Sequence, residues 1–255
     1  MKNSDAAAVP VAPFRGLTAF LWTEALVQAH ENLAMATSMI VQGVLLVFVW
    51  ILAPGLIGVA LVGAILFSMF AMGQRVLNEA AYIRIDHKAN DLYLAGPLAP
   101  EAYFLGMSLG ILLVYIAPVI VLGILTAIVV HFSVLTALLL VGLAATVWLF
   151  AASIGYVFST FFRDNRAIWA YASLFFNVFG VLPPVFYPFS SFPVDLRPVA
   201  LMMPPSAAAA VLQHALGATA LTSGELGLAV ASLAIETVGI FLFAIVWARR
   251  TVQGA

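Results

Sequence analysis

The stretch Tyr82–Gly106, YIRIDHKANDLYLAGPLAPEAYFLG, is the one sizeable polar interruption between long apolar runs in the first two thirds of the chain. It holds Arg84, Asp86, Lys88, Asp91 and Glu101, in a protein of 255 residues of which only 8% are charged. Soluble domains carry about 25% charged residues. Here 64% of residues are hydrophobic and the mean hydropathy is +1.13. A water-soluble fold has no interior large enough for that much apolar surface, so the solvent must be lipid. The expected fold is therefore all-α and polytopic, a single transmembrane domain over residues 1–255, and this stretch is its main contact with water.

The remaining composition narrows the function classes. The net charge of −1 and the lack of a basic tract argue against a nucleic-acid partner. The absence of cysteine excludes disulfides, thiol nucleophiles and cysteine-based metal sites. The start, MKNSDAAAVPVAPFRG, has no continuous apolar h-region, so no cleaved signal peptide is expected and the first span can target the chain.

Working outward, spans need about 20 apolar residues each. Residues 14–31, FRGLTAFLWTEALVQAHE, read as a helix too polar to span, with Glu24, Gln28 and Glu31 on one side. An interfacial helix is expected, with a cytoplasmic extension of the first span as the alternative. The spans then run Leu33–Ala53, Leu56 to about Gly73, Tyr103–Val130, Val134–Phe162, Ala167 to about Leu182, and Leu226–Ala248. The second should continue as an exposed helix through Gln74, Arg75 and Glu79. Pro118 should kink the third. Residues 188–223 carry Pro188, Pro193, Pro198, Pro204 and Pro205. Their apolar pieces are too short to span, which predicts short helices in an extracellular or re-entrant segment before span six.

Six spans put both termini on one side. With the termini and the loops after spans two and four inside, the cytoplasm receives Lys2, Arg15, Arg75, Arg84, Lys88, Arg163, Arg166, Arg249 and Arg250. The outside receives only Arg197. Nine of the ten cations on one side predicts a multi-pass protein of the cell membrane with cytoplasmic N- and C-termini. A seven-span alternative would export Arg249 and Arg250 and is rejected on that ground.

The search for chemistry returns little that is catalytic. There is no G-x-x-x-x-G-K-[ST] phosphate loop, no H-E-x-x-H and no G-x-S-x-G. His30, His87, His131 and His214 are scattered over different segments, without the paired spacing of a metal site. No catalytic residue, metal ligand or enzymatic activity is assigned. Glu236, in SLAIETVGIF, falls near the middle of the last span, where a carboxylate costs about 2.5–3.5 kcal/mol. It is either a residue of a polar pathway or a hydrogen-bonded packing residue. Phe175 and Phe179, with Phe176, Phe186 and Tyr187, are either packing and belt residues or a substrate-stacking surface of that pathway.

The run Leu92-Tyr93-Leu94-Ala95-Gly96-Pro97-Leu98-Ala99-Pro100-Glu101-Ala102-Tyr103-Phe104-Leu105-Gly106 resembles the cytoplasmic loop of the ABC-2 type transporter permeases. Gly180–Pro188, Leu196–Ala200 and Met203–Ser206 are similar to that family's proline-rich segment before the last span. Ile85-Asp86-His87-Lys88 stands where many members have a glutamate-rich start, and Met203-Pro204 where Asn-Pro is common. The resemblance implies a permease subunit of an ATP-binding-cassette exporter, moving a lipid, drug-like or glycan substrate. It implies a second permease copy, as homo- or heterodimer, and separate ABC ATPase subunits that hold the ATP and Mg2+. This chain itself would carry no cofactor. It further implies that residues 84–101 form a coupling loop, with a helical core at Asp86–Ala95. Its contacts with the ATPase would come from Arg84, Asp86, Lys88, Asp91, Leu92, Leu94, Pro97, Pro100 and Glu101. The alternative is a secondary transporter or channel working through Glu236; a third class is an intramembrane enzyme or an assembly subunit.

Overall fold

Long apolar runs without water to satisfy their backbone must form helices, and the described residues contain no strand. The structure, a computed structural model, describes residues 14–29, 43–86, 98–131 and 133–253. The helices are α1 (Leu17–Ala29), α2 (Gly43–Leu52), α3 (Ile57–Ile85), α4 (Pro100–Val130), α5 (Val134–Ser159), α6 (Asn165–Val181), α7 (Arg197–Leu201), α8 (Pro204–Ala215) and α9 (Ser223–Gln253). Four helical stretches are long and apolar enough to cross a membrane: Pro54–Ile85, Pro100–Val130, Val134–Ser159 and Ser223–Arg250. The protein is therefore a helical membrane protein. The described part of the expected first span, α2, and the apolar part of the fifth, Ala170–Val181, are shorter than these.

The helix ends follow local chemistry. Pro54 opens the 3-10 turn that leads into α3, and Pro100 occupies the first turn of α4, where its missing N–H costs nothing. α4 runs unbroken through Pro118 and ends at His131 in the left-handed region (φ 52°). Ser133 caps α5, its Oγ accepting from the Thr136 N–H at 3.1 Å. α8 ends at Gly217 (φ 71°), whose N–H and that of Ala218 return to His214 and Gln213, the usual left-handed stop. Thr222 and Glu225 cap α9 reciprocally: the Glu225 N–H donates to Thr222 Oγ1 at 3.2 Å, and the Thr222 N–H donates to the Glu225 carboxylate at 2.8 Å.

α3 is the central post, packed against α4, α5, α6 and α8. It crosses α5 at bare backbone. A Cβ on Gly155 would overlap the Gly73 carbonyl, and one on Gly73 would overlap the Ala151 carbonyl. Small residues at such a crossing let backbones approach, which supplies the dispersion contacts that lipid cannot replace. Nearer its start, Gly63 leaves room for the backbone of the turn at Val185 and Phe186.

One expectation is corrected by this packing. The continuation of the second span is helical to Ile85, but it is not an exposed extension. Met72, Gly73, Val76, Leu77, Ala80 and Ala81 are buried, the Gln74 side chain donates to Ser173 Oγ at 3.0 Å, and the Arg75 guanidinium lies 5.2 Å from the Tyr115 ring centre. α1 turns its polar side toward the bundle. Glu24 and Gln28 are 4% and 3% exposed and hydrogen-bonded to each other at 3.0 Å, while Trp22, Leu26 and Val27 face outward. The reason is the spacing Gly106-x-x-x-Gly110 on α4: Phe20 and the Leu17 carbonyl sit over the first glycine, and the Glu24 side chain over the second.

The proline-rich segment forms short helices as expected. α8 is buried from Pro204 to Gln213 and packs on α3, α5 and α9. Its run of alanines gives the close approach.

Candidate functional site

The ends of α3, α4, α5 and α9 that meet on one side of the bundle are tied by polar contacts, and this face carries Arg84, Asp86, Glu101, Arg163, Asp164, Arg249 and Arg250. Arg84, in the last turn of α3, reaches across to the end of α5. Its Nη2 donates to the Ser159 carbonyl and, at 2.6 Å, to the Phe162 carbonyl. Those carbonyls lie where α5 has run out of its own donors, so the guanidinium replaces missing helix bonds and lies at the negative end of the helix dipole. One turn away, Trp247 Nε1 of α9 donates to Thr160 Oγ1 at 3.0 Å.

Glu101 makes the second tie. It lies in the first turn of α4, where the dipole favours a carboxylate. It is buried, and Arg249 near the end of α9 grips it with both Nη2–Oε1 (3.1 Å) and Nε–Oε2 (3.4 Å). A two-pronged bond of this kind fixes orientation as well as distance. Arg249 is itself half exposed, which lets water moderate the pair.

Of the residues assigned to the coupling loop, the structure brings Arg84, Asp86, Pro100 and Glu101 to this face. Arg84 and Asp86 close α3, Pro100 and Glu101 open α4, and Asp86 is exposed. Lys88, Asp91, Leu92, Leu94 and Pro97, and with them most of the expected helical core Asp86–Ala95, lie outside the described residues. Arg84 and Glu101 are occupied inside the chain, by helix-end carbonyls and by Arg249. Sequence reasoning did not find Arg249: it stands 148 positions from Glu101, and no local pattern connects them. It also passed over Gly106 and Gly110, although their spacing was a readable signal for helix contact.

The pathway residues lie elsewhere. Phe175 and Phe179 sit on α6 with ring centres 4.6 Å apart, and Phe158 of α5 packs edge-on to Phe175 at 5.2 Å. They border an apolar groove of about 490 Å³ between α3, α5 and α6. Glu236 is half-buried on α9 and has no hydrogen bond or ion pair among the described residues. It does not line that groove.

The opposite end of the bundle is held by its own turns. The Gln213 carboxamide, fully buried on α8, accepts from the Phe189 N–H at 2.8 Å and donates to the Tyr187 carbonyl at 3.2 Å. Arg197 donates to the Ser190 and Phe192 carbonyls, stands over the Phe189 ring and pairs with Glu225 at 3.6 Å. The Tyr187 hydroxyl donates to the Leu182 carbonyl at 2.9 Å, and burial pushes this phenol above its ordinary pKa. No group of His, Asp and Glu among the described residues could hold a metal ion. No protein-family model, curated protein or solved structure matches the chain.

Proposed function

We propose that the chain is the permease subunit of an ATP-driven exporter, of the kind the ABC-2 resemblance implies. The observation that carries this reading is the anchoring of both flanks of residues 87–97. Arg84, on one flank, holds the end of α5; Glu101, on the other, holds the end of α9. A partner that moves this segment would therefore act on α3, α4, α5 and α9 together, through contacts with defined geometry. The excess of Lys and Arg on this side supports its assignment to the cytoplasm and a cytoplasmic position for both termini. On this reading six spans cross the cell membrane, a second permease copy completes the translocator, and ATP and Mg2+ are bound by separate ATPase subunits. The substrate is a lipid, a drug-like molecule or a glycan.

The test is purification of the tagged full chain from its native membrane, with Asp91→Lys and Leu92→Ser as loop variants. The expected result is an ATPase bearing a phosphate-loop sequence, retained in equal amount by the wild-type chain and lost by the loop variants. Its hydrolysis should rise on reconstitution with the wild-type chain only. Absence of such an ATPase, or retention by the loop variants, would overturn the assignment.

A second reading, a secondary transporter or channel, is favoured by Glu236 in a spanning helix, which has no partner among the described residues. It predicts that Glu236→Gln removes the pH dependence of transport. Unchanged, pH-independent transport in both proteins would remove it.

A further inference from the structure

The α3–α5–α6 groove begins at the charged face and ends inside the bundle. At its mouth the Phe162 and Tyr171 rings stack at 5.9 Å. Its floor is Leu77 and Ala172, and its far end is Phe179. Beyond that, Gly180 closes onto Phe67 with no room for a side chain. Tyr171, Leu174 and Val178 along its rim are exposed, so the groove opens sideways to the lipid as well as toward the charged face. At about 490 Å³ it lies within the roughly 300–1,000 Å³ of small-molecule sites.

Charge at the mouth selects the occupant. Phe162 is followed directly by Arg163-Asp164-Asn165-Arg166, a turn with one net positive charge. Arg84 and Arg249 of the same face are committed to internal partners. Arg163 is exposed and has no hydrogen bond or ion pair among the described residues. A long apolar slot whose mouth residue, Phe162, is followed directly by an exposed arginine is complementary to an acyl chain that carries an anionic headgroup. The second groove, about 400 Å³ between α3, α4 and α5, is as apolar but is lined by Ile65, Leu112, Ile116 and Leu140, toward the opposite end of the bundle. The arginine nearest it among those described, Arg75, lies over the Tyr115 ring at 5.2 Å inside the bundle and is not on an exposed turn.

We propose that the α3–α5–α6 groove binds one acyl chain of an anionic lipid, with Arg163 receiving the headgroup at its mouth. The site stands whether or not the chain works with an ATPase. Occupancy by a lipid of the leaflet on the charged side would hold α6 against α3 and α5.

The experiment reconstitutes the full chain in phosphatidylcholine vesicles. These contain a trace of photoactivatable phosphatidylglycerol, with a diazirine near the acyl terminus, or of phosphatidylcholine with the same acyl chain. Peptide mapping after illumination should show label at the far end of the groove, on 158 and 174–179, about fivefold stronger from phosphatidylglycerol, the gain expected from one basic residue near an anionic headgroup. Label in the α3–α4–α5 groove should not distinguish the two lipids. Arg163→Gln should abolish the preference, and Val178→Trp should reduce labelling by both lipids. Arg163→Gln sits on an exposed turn and keeps the packing intact, so it remains informative if Val178→Trp fails to fold. Equal labelling by the two lipids in the wild-type protein would overturn the proposal. So would an equal preference in both grooves. Absence of lipid label from 174–179 would also overturn it, because the groove would then be closed to lipid.

Discussion

The two ends of the bundle are stabilised by different means. At the charged face, Arg84 and the Glu101–Arg249 pair run between helices that are far apart in sequence. At the opposite end, Gln213, Arg197 and the Thr222–Glu225 cap bind turns to the helices beside them. The first arrangement ties four helices at the place where residues 87–97 leave and return. The second ties residues 182–225 to one another over the helices on which α8 packs. Cross-helix ties suit an end that must pass a displacement on, whereas local ties suit an end that must keep its shape while the helices beneath it move.

The largest effect should come from the crossing that joins the two ends. Gly155→Val drives a branched side chain into the α3 backbone. It should cost about 3 kcal/mol, at the upper end of overpacking effects, and yield little monodisperse protein on size-exclusion chromatography. Gln213→Leu strands the Phe189 N–H and the Tyr187 carbonyl in a buried place. It should cost about 2 kcal/mol in denaturant titrations in detergent, and leave transport per folded molecule unchanged. Arg249→Ala leaves a buried carboxylate at Glu101. Water at the half-exposed arginine tempers the loss to about 1.5 kcal/mol. Adding Glu101→Gln should recover part of it, as expected for coupled neighbours. Unlike Gln213→Leu, this variant should also lower substrate-coupled ATP hydrolysis. If both variants affected only stability, the difference between the ends would be one of construction and not of function. Thr222→Ala should cost about 1 kcal/mol, the value of a helix cap, and serves as the local reference.

Much of this was legible from the chain. Apolar run length located the long helices, and the prolines of 188–223 announced short helices. The misreading of the second span's continuation has a physical origin. Gln74, Arg75 and Glu79 form a polar stripe, which in water would mark an exposed face; here α4 and α6 cover it through Tyr115 and Ser173. Glu24 and Gln28 likewise turn inward, because with lipid outside the apolar Trp22, Leu26 and Val27 are the residues that face outward without cost. The polarity of a face tells where water or a partner is, not which of the two it is. Glu101 was singled out for its charge, but its partner Arg249 depends on how α4 and α9 come together. The expected coupling residues from Lys88 to Pro97 lie outside the described residues, so the stretch Tyr82–Gly106 is defined by its two flanks.

The natural absence of cysteine permits a direct test of the central claim, that residues 87–97 seat an ATPase on the charged face. Single cysteines would replace Lys88, Asp91 or Leu94 there, and Val194 or Met202 at the opposite end, in the full chain. Each variant would be treated with a short thiol–amine cross-linker in native membranes. The account predicts cross-links to a phosphate-loop ATPase from the first three positions and none from the last two. No cross-link from any of the three, or equal cross-linking from both ends, would contradict it.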